Sequence, residues 1–155
     1  MNKTHQYQVS VKWTGDRGQG TADYRSYSRE HEVSVDGKLT IPASSDTAFR
    51  GDADRYNPEE LFISSISTCH MLWYLHLCSD AGVVVVGYTD DARGVMEEGA
   101  EGGRFVSVTL YPKVLVTHES MTEKALELHE RASRLCFIAN SLNFKVGHKP
   151  RCDVR

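Results

Sequence analysis

Cysteine is scarce in this 155-residue sequence, and its four cysteines lie far apart. They are Cys69, Cys78, Cys136 and Cys152. No two of them form a CxxC pair, which excludes the common structural zinc modules and the thioredoxin-type redox motifs. Their wide spacing also excludes a disulfide-dense secreted scaffold. Each cysteine is therefore either a buried apolar residue or a reactive thiol.

The sequence also lacks a strong charge imbalance, a long apolar run and an apolar N-terminal segment. Its net charge of −3 gives no electrostatic reason to expect a nucleic-acid partner. No apolar run approaches the roughly 20 residues of a membrane helix, and residues 1–10 are unlike a secretory signal. We therefore expect a cytoplasmic protein, folded as a single domain over residues 1–155, that binds neither nucleic acid nor a membrane.

Alternating apolar residues near the N-terminus predict β-strands. Residues 7–13 alternate with the period of a half-buried strand, and a second strand is predicted over residues 21–35. Asp36 and Gly37 form the dipeptide of a tight hairpin, so the residues after them should begin the return strand. The polar segment at 42–56 is predicted to be a long loop.

The segment around Asn57 carries a strong helix-start signal. Asn57 can cap the helix, Pro58 suits its first position, and Glu60 can complete a capping box. The helix is predicted to extend to about Ala81, with Gly82 as its terminator. Because nearly all of its residues are apolar or small, we expect it to be buried on all sides, where a partner subunit could share it.

The rest of the chain predicts further strands and a second long helix. A strand follows the first helix, and another is predicted from 106 to 116, with a bulge or edge position at Pro112. Ser120 and Glu123 form a capping box for a helix that ends near Asn143. After a short final strand the order is β-β-β-α-β-β-α-β, which predicts an α+β fold built on antiparallel sheet.

Two of the cysteines lie on the long predicted helices. Cys69 is in the middle of the first helix, and Cys136 is on the apolar face of the second. Packing these helices together could bring the thiols close, because a disulfide needs Cα atoms within roughly 7 Å and small residues permit that approach. The small residues are Ser65, Ala132 and Ala139. Each cysteine could equally be structural; Cys78 is interpreted as core filler and Cys152 as peripheral.

A reactive Cys69 would need a nearby cation to form a thiolate. It lies twelve residues beyond the helix cap, too far for help from the helix dipole. Arg50 and Arg55 in the preceding loop, or Arg29 further back, could supply the charge, and Glu59 could orient the guanidinium. A straight helix separates Glu59 from Cys69 by about 15 Å, so a helix break or a spanning arginine is required. Otherwise these charges are ordinary surface residues.

A metal site is the weaker interpretation of the histidines on the first helix. Cys69 and His76 share one face of it, whereas Cys78 points about 180° away. That leaves two ligands where a catalytic zinc site usually has three. We therefore predict no metal at these residues or at His70.

Two separated motifs carry a family resemblance. The first is Asn57-Pro58-Glu59-Glu60-Leu61-Phe62, with Cys69 ten residues after Glu59; the second is the helix that carries Cys136. Together with the order of elements, they resemble the OsmC/Ohr family, the osmotically inducible protein C and organic hydroperoxide resistance proteins. The resemblance implies an OsmC-like fold, antiparallel sheets with two long central helices, in an intertwined homodimer whose active sites lie at the subunit interface.

The resemblance also implies a thiol peroxidase without a cofactor. Cys69 would attack the terminal peroxide oxygen and become a sulfenic acid, and Cys136 would then form a disulfide with it. An external dithiol, such as a lipoyl group, or another small thiol would reduce that disulfide. Glu59 would hold an arginine near the thiolate. Arg50 has the OsmC-type position for this role, and Arg29 is the alternative with the Ohr-type position.

The resemblance extends to substrate preference but has departures. Apolar neighbours of Cys69, namely Phe62, Leu72 and Trp73, would favour organic hydroperoxides by burying an alkyl tail. Phe137 follows Cys136 where proline is frequent, and His70 follows Cys69 where an aromatic or apolar residue is frequent, so the chain looks closest to an OsmC-like branch. A competing interpretation is a non-catalytic module on the same fold that binds a small apolar ligand and leaves Cys69 inert.

Overall fold

A computed structural model describes residues 3–155 of the chain. The chain divides into two compact units, one ending at Leu61 and the other comprising Phe62–Arg155. Both contain β-sheet, and the second also contains most of the helical residues, which gives the α+β fold that the sequence predicts. The expectation of a single domain over residues 1–155 stays a prediction.

The first unit contains a small antiparallel sheet in the order β1-β2-β3. Its strands are β1 (Ser10–Trp13), β2 (His31–Ser34) and β3 (Ile41–Ala43). A turn joins β2 to β3, and Gly37 has a positive φ of 73°, which confirms the predicted hairpin position. The predicted strand over 21–35 is too long, because residues 20–27 form local turns. Side chains such as Ser26, whose Oγ donates to the Gly20 carbonyl at 2.8 Å, hold these turns.

The first long helix, α1 (Pro58–Asp80), begins and ends as the sequence predicts. The Glu60 N–H donates to Asn57 Oδ1 at 2.8 Å, and the Asn57 N–H donates to Glu60 Oε2 at 3.1 Å, which completes the capping box. At the other end Gly82 has a φ of 71°, and the Val83 N–H donates to the Cys78 carbonyl at 2.9 Å. This pattern is a Schellman motif, which a glycine in the left-handed region permits.

The second unit contains two three-stranded sheets and two further helices. One sheet has the order β4-β7-β9 and the other β5-β6-β8. The strands are β4 (Val85–Asp90), β5 (Arg93–Gly99), β6 (Gly102–Leu110), β7 (Pro112–Val116), β8 (Val146–His148) and β9 (Arg151–Val154), and the helices are α2 (Thr122–Leu135) and α3 (Phe137–Asn140). The β6–β8 and β7–β9 pairs are parallel, so the expected antiparallel sheets are mixed.

The predicted strand over 106–116 is in fact two strands in different sheets. Pro112 has no N–H to donate and begins β7, a position at which a strand tolerates proline. Between the strands, the Tyr111 N–H donates to a carboxylate oxygen of Asp90 at 2.6 Å instead of to a neighbouring strand. The chain therefore changes sheet at this point, and the sequence interpretation also missed β5 and β9 as separate strands.

The prediction that α1 is buried on all sides is wrong within this chain. Its buried residues fall on one stripe: Ile66, His70, Tyr74, Leu77 and Cys78. Ile66 packs with residues of β6 and β8, whereas the later members pack with β7 and α2. Leu72, on the opposite side, is 59% exposed. The exposed side of α1 also carries Ser64, Ser65, Thr68 and His76.

α1 also corrects the expectation that no apolar run approaches membrane length. It has 23 residues, and its most apolar stretch has a mean hydropathy of 1.2, so by length and composition alone it could cross a bilayer. The core helix of a soluble protein passes the same test. The absence of a membrane partner stays a prediction.

Candidate active site

The structure brings Cys69 and Cys136 together. Cys69 is half-buried on α1, and Cys136 follows α2 and is completely inaccessible to solvent. Burial raises the pKa of the Cys136 thiol to about 11, and a side-chain hydrogen bond with Cys69 adds to the increase. The proton therefore stays on Cys136 at neutral pH, beside the more accessible sulfur of Cys69.

Cys136 lies at a break in the second helix, which the sequence predicted to continue to Asn143. Its ψ of 108° is extended, so α2 ends at Leu135 and the short α3 starts afresh at Phe137. The Ala139 N–H donates to the sulfur of Cys136 at 3.4 Å. The cysteine is thus held by the backbone of α3 rather than carried on a continuous apolar stripe.

The start of α2 also differs from its prediction. A 3₁₀ turn, Glu119–Met121, precedes the helix, and no side chain caps its first N–H groups. The Ser120–Glu123 capping box is therefore wrong, because Ser120 lies inside that turn rather than at the helix cap.

An apolar cavity of about 470 Å³ opens in front of Cys69. It is lined by Ser64, Ser65, Thr68, Cys69, Leu72, Trp73, Phe137 and Ile138. The rings of Trp73 and Phe137 meet edge to face, with centroids 5.4 Å apart. Phe137 is 66% exposed, so one wall of the cavity faces solvent.

Two of the three apolar neighbours predicted for Cys69 line this cavity. The exception is Phe62, whose ring stacks on Phe105 with centroids 4.7 Å apart and packs with the β6–β8 cluster. Phe137 and Ile138 take its place among the lining residues. The departure from proline after Cys136 was the sequence signal that could have identified Phe137.

Glu59, in the first unit, carries a buried carboxylate oxygen. Among residues 3–155, its Oε2 has no hydrogen-bond partner. A buried acceptor of this kind favours a guanidinium partner. α1 runs unbroken from Pro58 to Asp80, so the helix break considered from the sequence does not occur.

The predicted arginines also belong to the first unit. Arg29 donates to the carbonyls of Tyr27 at 2.7 Å and Tyr24 at 2.8 Å, and its guanidinium lies 4.2 Å from both ring centroids. Arg55 contacts Asp52 at 3.3 Å and Glu30 at 3.8 Å. Arg50 is exposed in the left-handed region, with a φ of 64°. Arg29 and Arg55 are thus engaged locally, and the choice of Arg50 or Arg29 as the activating cation stays a prediction.

Sequence reasoning missed a buried histidine cluster behind Cys69. Nε2 of His70 lies 3.0 Å from Nδ1 of His129, and both residues are buried. The ring of His148 lies 5.7 Å from that of His70, centroid to centroid. Burial is the main reason that the pKa of His70 falls to about 4 and that of His129 to about 3. Both rings are therefore neutral at pH 7.

The other candidate ligands and cysteines lie apart from this cluster. His76 is 60% exposed and contacts Asp80 at 3.6 Å. No group of three His, Cys, Asp or Glu side chains within residues 3–155 is arranged to hold a metal ion. Cys78 is core filler, as predicted, but Cys152 is not peripheral, since β9 packs it against the same core cluster.

The chain has relatives of known structure. An OsmC-like protein of unknown function from Vibrio cholerae O1 biovar eltor is 28% identical with a TM-score of 0.86, and the match covers 96% of this chain and 100% of that chain. An organic hydroperoxide resistance protein from Elizabethkingia anophelis is 20% identical with a TM-score of 0.68, covering 99% and 100%. The organic hydroperoxide resistance protein OhrB of Bacillus subtilis is 18% identical with a TM-score of 0.65, covering 95% and 98%. The last two similarities concern the fold alone.

The sequence itself supports the same relationship. No curated protein sequence matches the chain significantly. The family model described as OsmC-like protein, however, matches residues 51–149, more than half of the chain. That region includes the helix-start motif at 57–62 and both neighbouring thiols. Because sequence match, fold and the position of the cysteine pair agree, the chain belongs to the OsmC-like protein family.

Proposed function

We propose that this chain is a cysteine-based peroxidase that reduces organic hydroperoxides. The observation that carries the proposal is the pairing of a half-buried Cys69 at an apolar cavity with a buried Cys136 thiol beside it. An alkyl or aryl tail of a hydroperoxide would displace water from Leu72 and Trp73, while its peroxide group faced the Cys69 sulfur.

The two cysteines have separate roles in the proposed reaction. The Cys69 thiolate attacks the terminal oxygen of ROOH, the O–O bond breaks, and the alkoxide takes up a proton and leaves as ROH. Cys69 is now a sulfenic acid. The Cys136 thiol condenses with it, which releases water and forms the Cys69–Cys136 disulfide. An external dithiol, such as a lipoyl group, then restores both thiols by two exchanges and becomes oxidised itself.

The environments of the thiols support this division. Cys136 holds its proton, because burial raises its pKa to about 11. A protonated thiol is a poor nucleophile toward peroxide, which leaves the substrate to Cys69. When Cys136 condenses with the sulfenic acid, its proton leaves in the water that is released. Cys69 lines the cavity and is the sulfur that a substrate can reach. No cofactor is required by this scheme, and we place the reaction in the reducing cytoplasm.

An arginine held by Glu59 would supply the positive charge. The unpartnered Oε2 of Glu59 supports such a pair, and Arg50 is our choice, with Arg29 as the alternative. The guanidinium would stabilise the thiolate and the departing alkoxide. Arg50→Ala should then slow the reaction with peroxide more than Arg29→Ala, measured as sulfenic acid formation in a single turnover; the reverse order would favour Arg29.

We further propose that the active form is a homodimer. The exposed Leu72 on α1 and the exposed Phe137 beside the cavity are apolar surface that a second copy could bury. The sheet of the first unit also exposes Val11 and Trp13. Sedimentation equilibrium should give twice the mass of one chain, and a monomer at micromolar concentration would contradict the dimer.

The activity is tested by peroxide consumption with purified protein. With dithiothreitol or dihydrolipoamide as the reductant, the wild type should consume cumene hydroperoxide, and Cys69→Ser should abolish turnover. The matched control is Cys152→Ser, which changes a half-buried cysteine outside the cavity and should retain the activity. Full turnover by Cys69→Ser would exclude this mechanism. Binding of cumyl alcohol without any turnover by the wild type would instead favour the non-catalytic ligand-binding module.

A further inference from the structure

Two buried histidines join the helix that carries Cys69 to the helix that leads to Cys136. His70 follows Cys69 on α1, and His129 lies on α2, seven residues before Cys136. His70 is 2% exposed and His129 is 0% exposed. Their facing ring nitrogens are 3.0 Å apart, and the ring planes differ by 6°. This geometry is that of a direct hydrogen bond between two imidazoles.

The surroundings of the pair require both rings to be neutral. His148, on β8, has its ring centroid 6.4 Å from that of His129, and Tyr74 stacks on His129 at 3.8 Å. Glu130 faces His148 at 3.5 Å and is exposed. Burial opposes a positive charge on either ring, so one neutral ring donates the shared proton and the other accepts it.

The bond is the only hydrogen bond that the His129 ring makes within the described part of the chain. Its other nitrogen, Nε2, is buried and has no partner there. Loss of the bond would leave a buried ring nitrogen without a hydrogen-bond partner, which is unfavourable.

The histidine pair and the thiol pair are two separate contacts between the same two segments of the chain. Seven residues make nearly two turns, so His129 and Cys136 emerge on almost the same face, whereas His70 is directly next to Cys69. A bond between the histidines therefore limits how far α1 can move from the helix that leads to Cys136.

We propose that the His70–His129 hydrogen bond positions the two chain segments so that Cys69 and Cys136 lie close enough to form a disulfide. Its catalytic meaning rests on the proposed function, in which Cys136 must capture the Cys69 sulfenic acid. The positioning itself is a property of the thiol pair and can be measured without peroxide. The histidines act through the cysteines and do not touch the substrate.

The test is the equilibrium between the dithiol and the Cys69–Cys136 disulfide in glutathione buffers at pH 7, measured by peptide mass spectrometry. His129→Phe and the double variant His70→Phe/His129→Phe remove the bond. The double variant leaves no stranded polar partner and keeps an aromatic ring against Tyr74, so it should fold. We expect the effective concentration of one thiol at the other to fall about tenfold, which raises the reduction potential by about 30 mV.

Two further variants separate positioning from simple packing. His118→Phe makes the same substitution at an exposed histidine ahead of α2 and should leave the potential unchanged. His129→Asn keeps a polar atom near the place of Nδ1 and should restore most of the loss seen with His129→Phe. In peroxide-treated protein, the double variant should also let dimedone trap Cys69 sulfenic acid that Cys136 captures in the wild type.

The outcomes distinguish this proposal from the proposed function. A folded double variant with the wild-type potential would overturn the positioning role, as would a His129→Asn protein no different from His129→Phe. If the wild type forms the disulfide in glutathione but does not consume hydroperoxides, only the peroxidase proposal fails. If the wild type forms no Cys69–Cys136 disulfide at all, both fail.

Discussion

The two thiols of the candidate active site differ in access and in the state of their protons. Cys69 is half-buried and faces the cavity, whereas Cys136 is shielded by its neighbours and receives a backbone N–H from α3. Burial nevertheless outweighs that N–H and raises the pKa of Cys136. Desolvation opposes the thiolate more strongly than one long N–H···S contact favours it. Two neighbouring cysteines thus differ in reactivity because their surroundings differ.

This contrast predicts selective alkylation. With a pKa of about 11, Cys136 is a thiolate about a hundredfold less often at pH 8 than an ordinary cysteine. Iodoacetamide should therefore modify Cys69 first, because Cys69 lines the cavity, and should modify Cys136 about a hundred times more slowly than an ordinary cysteine, as followed by peptide mass spectrometry. Cys136 in the Cys69→Ser variant is the control, since its burial remains. Equal rates for the two cysteines would contradict the assigned environments.

At the scale of elements, the carboxylate of Asp90 connects α1 with the end of β4 and with the segment between β6 and β7. Ser67 of α1 donates to one oxygen of Asp90 at 2.5 Å, and the Tyr111 N–H donates to the other at 2.6 Å. Asp90 ends β4, and Tyr111 lies between β6 and β7. The helix with Cys69 is therefore held against the sheets by a polar contact as well as by its apolar stripe.

Asp90→Ala should consequently destabilise the protein far more than Asp91→Ala. Removing Asp90 leaves the Ser67 hydroxyl and the Tyr111 N–H without their charged acceptor, which should lower the free energy of unfolding by about 2–3 kcal/mol. The neighbouring Asp91 pairs with Lys113 at 2.8 Å, but both side chains are more than half exposed, so its loss should change little. Urea denaturation of the two variants makes the comparison. Similar losses of stability would show that Asp90 does not connect these elements.

At the scale of the whole molecule, the buried histidines link folding to pH. The folded protein holds the pKa of His70 at about 4 and that of His129 at about 3, both below the usual histidine value of 6.5. Below pH 6.5 these two histidines therefore bind protons in the unfolded chain but not in the folded chain. The contribution of the two neutral histidines to the free energy of unfolding is complete above pH 6.5 and is lost as the pH falls toward 4.

We expect the free energy of unfolding to fall by about 5 kcal/mol between pH 7 and pH 4.5 because of these two residues. In the His70→Phe/His129→Phe variant that part of the loss should disappear, since phenylalanine has no proton to bind. His148, Tyr74 and Glu130 remain in both proteins and cancel in the comparison. The measurement is urea denaturation at the two pH values. An equally steep loss in the variant would place the acid sensitivity elsewhere.

Some of this molecule could be predicted from short stretches of sequence. The capping box at Asn57 and Glu60, the glycine that ends α1 and the hairpin turn at Gly37 each depend on contacts between residues a few positions apart. Such contacts form wherever the chain goes next, so local sequence specifies them. The helix-start motif and the position of Cys69 after it were enough to indicate the family.

The wrong or missing predictions concern features that depend on contacts between residues distant in the sequence. The residues near Cys136 in sequence do not predict that the second helix ends there. Likewise, no local pattern predicts that the Tyr111 N–H donates to Asp90 at the point where the chain passes from one sheet to the other. The missed pair of His70 and His129 is of the same kind, since the residues are 59 positions apart and each alone looks like an ordinary histidine on a helix.

The sequence by itself therefore determined the caps, the turns, the α+β class and which cysteine follows the family motif, because these depend on neighbouring residues. Only the tertiary structure decided which sulfur is buried, which residues line the cavity and which side of α1 is left uncovered. Burial and desolvation are sums over everything that packs around an atom, and that packing exists only once the chain has folded.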